Sequence, residues 1–179
     1  MKVLSIIIII SQFIGPGEKS LLEKLAEESK DLAPISAAID LYYKNNMDQD
    51  LPIIIPIDTE KYRISSHYGY RTDPITRQKR YHSGIDFACQ LATLVKATAN
   101  GKVKFIGLKG GYGKAIILQH KYGYSTIYGH LSEYYVTPGE IVPQGKVIGF
   151  VGSTGRSTGN HLHYEVRKND VAINPLFIK

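Results

Sequence analysis

Two histidines, His161 and His163, stand one residue apart in the run GNHLHYEVR at residues 159–167. The run is rich in residues that favour β-strands, and side chains two positions apart on a strand point to the same face. Two imidazoles on one face are typical of a metal site or of proton-transfer chemistry. The alternative is a polar strand face that is exposed to solvent.

A second pair, His82 and Asp86, lies in the run HSGID. The intervening Ser83 and Gly84 disfavour a regular helix, so we expect a strand or a tight bend here. Zinc accepts imidazole nitrogen and carboxylate oxygen, and catalytic zinc sites use three protein ligands and leave a fourth position for water. A histidine and a carboxylate joined by a distant histidine would form such a site. A lone pair with this spacing can equally make one hydrogen bond.

His130, in the run YGHLS, is a further candidate, although alone it could be a turn residue. The three motifs are separated by strand-like segments, so their side chains could converge at one end of a sheet. We expect the other two histidines, His67 and His120, to make structural hydrogen bonds. The single cysteine, Cys89, excludes a disulfide framework and a four-cysteine zinc module, and we expect it to be a packed thiol rather than a ligand.

The elements that carry these motifs are predicted to be strands. From about residue 61, short runs rich in β-branched and aromatic residues alternate with glycine: KVKFIG, KAIILQH, YSTIYGHL, KVIGFVG and HLHYEVR. A spacing of about ten residues per strand and turn is typical of an antiparallel sheet folded on itself. Residues 61–179 are therefore predicted to form a mainly β domain, a compact sandwich or partial barrel.

The first sixty residues have a different pattern. Residues 1–17 begin with one lysine, continue with a mostly apolar run and end at Gly-Pro-Gly. This run is shorter than the ~20 residues that span a bilayer, and it is typical of a secretory signal peptide. An uncleaved membrane anchor, which would associate the protein with a membrane, and a buried strand are alternatives. Residues 18–60 are predicted to be a short helical segment followed by a proline-containing linker.

Charge is distributed unevenly along the chain. Residues 1–60 contain five Lys/Arg and ten Asp/Glu, whereas residues 61–179 contain seventeen and six. A basic β domain favours an anionic partner, such as nucleic acid, an acidic lipid surface or an acidic polymer of the bacterial cell wall. The sequence carries no RNA-binding or helix-turn-helix signature, so nucleic acid is not predicted as a partner.

HSGID, YGHLS and GSTGRSTGNHLHYEVR, in this order, resemble the lysostaphin-type zinc metallopeptidases, whose catalytic module is called a LytM domain. The resemblance runs from about Ser65 to Pro175, which is nearly all of the β domain. It implies the compact antiparallel fold of this family, with a substrate groove and one Zn²⁺ ion. It also implies a secreted or envelope-located endopeptidase that acts on the peptide stems or cross-bridges of peptidoglycan.

The resemblance also implies a role for each site residue. His82 and Asp86 match the first two zinc ligands of the family, and His163 matches the third. His130 and His161 match catalytic histidines beside the metal, and either could be the general base or the group that stabilises the oxyanion. The alternative function is a non-catalytic wall-binding or activator protein on the same fold. Glycine cross-bridges and direct cross-links with D-amino acids both stay open as the bond cut, and the oligomeric state is not predicted.

Overall fold

The computed structural model describes residues 49–58, 60, 62–73 and 76–176. The predicted signal segment at residues 1–17 and the predicted helical segment that follows it lie outside the described residues. Within the described part of the chain, no helix is long and apolar enough to cross a membrane.

The described residues fold almost entirely into β-strands joined by turns, so the predicted mainly β fold is confirmed. They contain twelve strands: β1 (Tyr62–Ser66), β2 (Gly69–Thr72), β3 (Lys79–His82), β4 (Ile85–Cys89), β5 (Leu94–Lys96), β6 (Gly101–Leu108), β7 (Lys114–Gln119), β8 (Tyr124–Tyr134), β9 (Ile141–Val142), β10 (Val147–Val151), β11 (His161–Lys168) and β12 (Val171–Ile173). Two short 3₁₀ turns, at Gly110–Tyr112 and Lys121–Gly123, precede β7 and β8.

Ten of these strands form one antiparallel sheet, in the order β1-β4-β11-β8-β7-β6-β9. Strand β10 pairs with β5 and β8 and thus folds the sheet back on itself, while β12 pairs with β11. The remaining two strands, β2 and β3, form a separate hairpin. The central pair, β11 and β8, is buried along most of its length, on both faces of the sheet.

The core also contains a buried polar network. The hydroxyls of Tyr128 and Tyr164 lie 3.0 and 2.8 Å from the hydroxyl of Thr98, and both tyrosines are fully buried. Buried hydroxyls need hydrogen-bond partners, and in this network the three hydroxyl groups are hydrogen-bonded to one another. These two tyrosines therefore pack in the core and lie away from any open groove.

Residues 49–58, which the two prolines led us to predict as a linker, pack against the β domain. Leu51 and Ile57 are buried, and the Pro56 carbonyl accepts a hydrogen bond from the Lys96 amide at 2.8 Å. The compact unit accordingly begins at Gln49. Leu51 and Ile57, which flank the two prolines, thus contribute apolar surface to the core, whereas the isoleucines between the prolines are half-buried.

The register of the central strands brings the three sequence motifs together. Strand β11 lies between β4 and β8, so that His163 is directly opposite Asp86 on one side and Gly129 on the other. The β3–β4 bend passes close over β11 at Gly84, where a Cβ atom would lie 2.4 Å from the carbonyl oxygen of Tyr164. Only glycine fits at this approach, and the bend therefore sets His82 next to the centre of the sheet.

Candidate metal centre

Three predicted metal ligands, His82, Asp86 and His163, converge at the centre of the sheet. His82 Nε2 lies 3.1 Å from His163 Nδ1 and 3.2 Å from Asp86 Oδ1, and His163 Nδ1 lies 2.8 Å from Asp86 Oδ1. All three side chains are buried. Within the described residues, they form a group of donors close enough to hold one metal ion.

The chemistry of this donor set fits zinc. With metal–ligand bonds of about 2.0 Å, the ligand atoms of a tetrahedral zinc site are about 3.3 Å apart. The two separations that involve His82 Nε2, 3.1 and 3.2 Å, are close to that value, and the 2.8 Å between His163 and Asp86 is the shorter distance of a hydrogen bond. Two imidazoles and one carboxylate also leave a fourth position for water, which is the composition of a catalytic zinc site rather than of a closed structural one.

The tautomer of His82 is set by the main chain. Its Nδ1 lies 2.9 Å from the carbonyl oxygen of His67, which can only accept a hydrogen bond. Nδ1 must therefore carry the proton and donate it, so the lone pair resides on Nε2. Nε2 is the atom that faces Asp86 and His163, and His82 is thus ready to bind a cation through this nitrogen.

The tautomer of His163 is the opposite one, with a proton on Nε2, and a side chain fixes it. This side chain, Glu165, was not predicted from the sequence. His163 Nε2 donates to Oε1 of Glu165 at 3.0 Å, which leaves Nδ1 to face the other two ligands. Glu165 is fully buried, with 0% of its side chain exposed. Carboxylates that accept the second nitrogen proton of a ligating histidine are common around metal sites, because they fix the ring and raise its basicity.

Glu165 is itself held by several donors. Ser83 Oγ and Tyr112 OH donate to Oε1 at 2.5 and 2.8 Å. Arg167 donates to Oε2 through Nε at 2.8 Å and lies 2.7 Å from it through Nη2. The strand periodicity did contain a signal for this residue, since Glu165 is the third polar side chain on the face shared by His161 and His163.

The charges of the metal-free centre compensate one another. Burial alone lowers the pKa of His163, but hydrogen bonds to Asp86 and Glu165 and their negative charges raise it to about 9. Burial raises the pKa of Asp86, yet its contacts with His163 and His82 keep the pKa well below the usual range. Burial likewise raises the pKa of Glu165, whereas its contact with His163 lowers it to about 2. Without metal, His163 therefore carries a proton at neutral pH.

The two predicted catalytic histidines, His130 and His161, lie beside this centre. Their ring centroids are 4.5 Å apart, and the His130 ring is 5.9 Å from that of His163. His130 Nδ1 donates to the Thr154 carbonyl at 2.7 Å, and His161 Nδ1 donates to the Gly159 carbonyl at 2.8 Å. Each ring therefore keeps the lone pair on Nε2, so both histidines can accept a proton or a hydrogen bond at that atom.

Burial keeps His130 uncharged. Burial and, to a smaller extent, the nearby His161 and His163 rings lower the pKa of His130 to about 4, against the opposing effect of the hydrogen bond to Thr154. The backbone of His130 has a positive φ of 59°, an unusual conformation for a residue with a side chain. Strained conformations of this kind concentrate at functional sites, where the surrounding structure holds them in place.

A groove with a volume of about 960 Å³ opens onto the metal centre. One wall is the β2–β3 hairpin and the other is the loop between β10 and β11. The two walls are tied together by Asp73, whose carboxylate accepts two hydrogen bonds from Arg156 at 2.8 and 2.9 Å. Four arginines line the groove: Arg63, Arg71, Arg80 and Arg156. The sequence reasoning did not single out any of them.

Two of the residues expected to be structural, His120 and Cys89, lie away from the metal centre, whereas His67 lines the groove and holds His82 through its main-chain carbonyl. His120 is buried between the Asn100 carbonyl and the Thr126 hydroxyl, each 2.8 Å from one of its ring nitrogens. Cys89 lies on β4 three positions after Asp86, so its thiol is on the opposite face of the strand. Within the described residues, neither belongs to the group of candidate metal donors.

Comparison with known proteins gives consistent results. Residues 80–175 match the family described as peptidase family M23. Over 116 residues the chain is 52% identical to the DD-carboxypeptidase/endopeptidase Mpg of Neisseria meningitidis, covering 65% of this chain and 27% of that protein. Over 146 residues it is 36% identical to the peptidoglycan DD-endopeptidase ShyA of Vibrio cholerae, covering 80% and 34%. It thus spans about a third or less of these relatives.

A solved structure resembles the described fold. The catalytic domain of the antimicrobial peptidase lysostaphin from Staphylococcus simulans superimposes with a TM-score of 0.59 at 36% identity. The match covers 64% of this chain and 90% of that catalytic domain. The similarity therefore extends over nearly the whole of a catalytic domain.

Proposed function

The chain belongs to peptidase family M23, as the three sequence motifs predicted, and on this premise we propose that it is a zinc-dependent endopeptidase that cleaves peptide bonds in bacterial peptidoglycan. Both relatives described above are named for activity on DD bonds, which favours a bond between D-amino acids as the one cleaved. Peptidoglycan as the substrate implies a location in the cell envelope or outside the cell.

The observation that carries this proposal is the convergence of three ligand atoms on one point, where a metal ion would displace the proton of His163 Nδ1. His82 offers Nε2, His163 offers Nδ1, and Asp86 offers Oδ1, all within 3.2 Å of one another. The carbonyl of His67 and the carboxylate of Glu165 fix these orientations. Ligands held in this way need no rearrangement to bind one Zn²⁺ ion, and preorganisation of this kind favours both affinity and catalysis.

Bound zinc would polarise the scissile carbonyl and lower the pKa of a coordinated water from 15.7 to about 7. The protein supplies the proton transfers. His130 and His161 each donate Nδ1–H to a main-chain carbonyl, so either can take a proton at Nε2 and later pass it to the leaving amine. A positioned acid–base group of this kind typically contributes ~10²–10⁴-fold to the rate.

The groove explains how a peptide would reach the metal. It runs between the β2–β3 hairpin and the β10–β11 loop, and the Asp73–Arg156 ion pair fixes the two walls relative to each other. Its volume of about 960 Å³ is enough for several residues of an extended peptide. A non-catalytic wall-binding protein would not need a complete set of ligands and neighbouring bases, so this alternative is disfavoured.

Digestion of purified peptidoglycan, with the released fragments identified by mass spectrometry, tests the proposed function directly. We expect the chain to release fragments cut at a DD bond, and a chelator or the substitution His163→Ala to abolish the release. Cys89→Ser is the matched control, because it changes a thiol on the opposite face of the Asp86 strand and should keep both zinc and activity. Intact cross-links after digestion with zinc-loaded protein would refute the proposal.

A further inference from the structure

One groove residue, Arg71, has a positive charge that the carboxylates of the described residues compensate only weakly. It lies on β2 directly opposite Arg80 on β3, and both side chains line the groove. Like charges directly opposite each other on paired strands are destabilising. Their presence at this position needs an explanation that hairpin stability does not provide.

The two arginines differ in their partners. Arg80 lies 3.8 Å from Asp73, which also binds Arg156. Within the described residues, the carboxylate within 4 Å of Arg71 is that of Asp86, where Nη2 and Oδ2 are 3.6 Å apart. That distance is too long for a hydrogen bond, which requires 2.7–3.2 Å. Arg71 Nε is buried and has no hydrogen-bond partner.

Asp86 also has closer contacts than the one with Arg71. Its Oδ1 faces His82 and His163, and it is one of the three proposed metal ligands. A carboxylate that shares its charge with a divalent cation compensates a neighbouring guanidinium less. Arg71, whose side chain is 29% exposed, would then present its remaining donors to the groove next to the reacting bond.

We propose that Arg71 binds a carboxylate of the substrate close to the scissile bond and so makes the protein selective for anionic peptides. This inference rests on the proposed function. An arginine fork matches the geometry of a carboxylate, and their charge-assisted hydrogen bonds are among the strongest in proteins. Because an extended residue spans ~3.4 Å and Arg71 is 3.6 Å from a ligand, the carboxylate belongs within about two residues of the bond cut.

Such a carboxylate has two chemical sources. One is the C-terminal carboxylate of the peptide, and the other is a carboxylate on a side chain next to the bond. Both offer the same pair of oxygens to the guanidinium. Four synthetic peptides separate them: the parent with both carboxylates, each singly amidated peptide, and the doubly amidated one.

The experiment measures kcat/KM for these peptides with zinc-loaded wild type, Arg71→Gln, Arg71→Lys and the control Arg77→Gln. Arg77 is exposed on the same hairpin and lies outside the groove, so its substitution changes the net charge equally. We expect wild type and Arg77→Gln to prefer the acid over the critical amide by about tenfold or more. In Arg71→Gln this ratio should fall towards one, and Arg71→Lys should keep part of it.

A second readout does not depend on turnover. The Kd of the acid and amide forms of the cleaved product is measured by calorimetry on wild type and on Arg71→Gln, with zinc content and melting temperature checked for each. We expect the acid form to bind more tightly to wild type alone. Equal loss for acid and amide in Arg71→Gln would mean that Arg71 only orients Asp86, and this would overturn the inference.

The outcomes distinguish failure of the proposed endopeptidase function from failure of the proposed role of Arg71. If wild type cleaves acid and amide peptides equally, the role of Arg71 is refuted while the endopeptidase function stands. If wild type cleaves no peptide, the proposed function fails, and the product-binding ratio still decides whether Arg71 selects a carboxylate. An unchanged ratio in Arg71→Gln refutes the inference in either case.

Discussion

Replacing Glu165 with glutamine tests how the protein orients His163. The substitution keeps the size of the side chain and removes its charge. Glu165 accepts the Nε2 proton of His163 at 3.0 Å and two N–H donors of Arg167 on its other oxygen. A glutamine can present an oxygen to only one of these partners, so its NH₂ group would face a donor. Either the His163 ring loses its anchor or Arg167 loses its acceptor.

The expected loss follows from these contacts. Removing the carboxylate partner of a ligating histidine typically weakens metal affinity by ~10–100-fold, which corresponds to about 1.4–2.8 kcal/mol. A hydrogen bond between charged groups contributes about 1.5–3 kcal/mol, which is consistent with that range. Folding stability should fall by about 1–3 kcal/mol. This is less than for a fully buried ion pair, because Arg167 is 28% exposed and can be rehydrated.

The assay is a zinc competition titration against a chelator, combined with thermal unfolding followed by circular dichroism. Tyr112→Phe is the matched control, since it removes one neutral donor to the same carboxylate oxygen and keeps the charge. We expect Tyr112→Phe to change zinc affinity much less than Glu165→Gln does. If folded Glu165→Gln bound zinc within twofold of wild type, the assignment of Glu165 as the residue that positions His163 would be refuted.

Three further predictions concern the same centre. His163→Ala should lose stoichiometric zinc, whereas His130→Ala and His161→Ala should keep zinc by elemental analysis and lose ~10²–10⁴-fold in kcat; loss of zinc in all three would contradict the proposed division of roles. Because the pKa of His163 is raised to about 9 in the metal-free protein, zinc must displace its proton, so the apparent zinc affinity should fall about tenfold for each pH unit between pH 8 and 6. A zinc Kd that did not change with pH would exclude a protonated His163. Gly84→Ala should destabilise the fold by about 1–3 kcal/mol, because its Cβ would lie 2.4 Å from the Tyr164 carbonyl. Gly159→Ala, with open space at the Cβ position, should leave the melting temperature unchanged.

Strand periodicity predicted part of the candidate metal centre, whereas the grouping of His82, Asp86 and His163 as ligands was implied by the family resemblance. His161 and His163 do share a face, and the bend at Ser83 and Gly84 does bring His82 towards Asp86. The β-strands themselves were visible as β-branched runs between glycines. These features depend only on residues that are close together in the sequence, so a local pattern is enough to predict them.

Other parts of the centre depend on contacts between distant segments. Glu165 follows the predicted histidines by two residues, but a carboxylate at that spacing is usually exposed. Its burial depends on Tyr112, which is 53 positions away, and on Ser83, which is 82 positions away. Arg71 reaches Asp86 only because the β2–β3 hairpin folds over the groove. No local pattern predicts either contact.

The four histidines of the centre are held in two different ways, and this difference makes one of them accessible to experiment. His82, His130 and His161 each donate Nδ1–H to a main-chain carbonyl, which no substitution of a partner side chain can remove. His163 instead donates Nε2–H to the side chain of Glu165. The protein therefore sets three tautomers through its backbone and one through a carboxylate. Because the metal lone pair of His163 depends on that carboxylate, zinc affinity should respond to Glu165 more strongly than to any other residue that does not itself bind the metal.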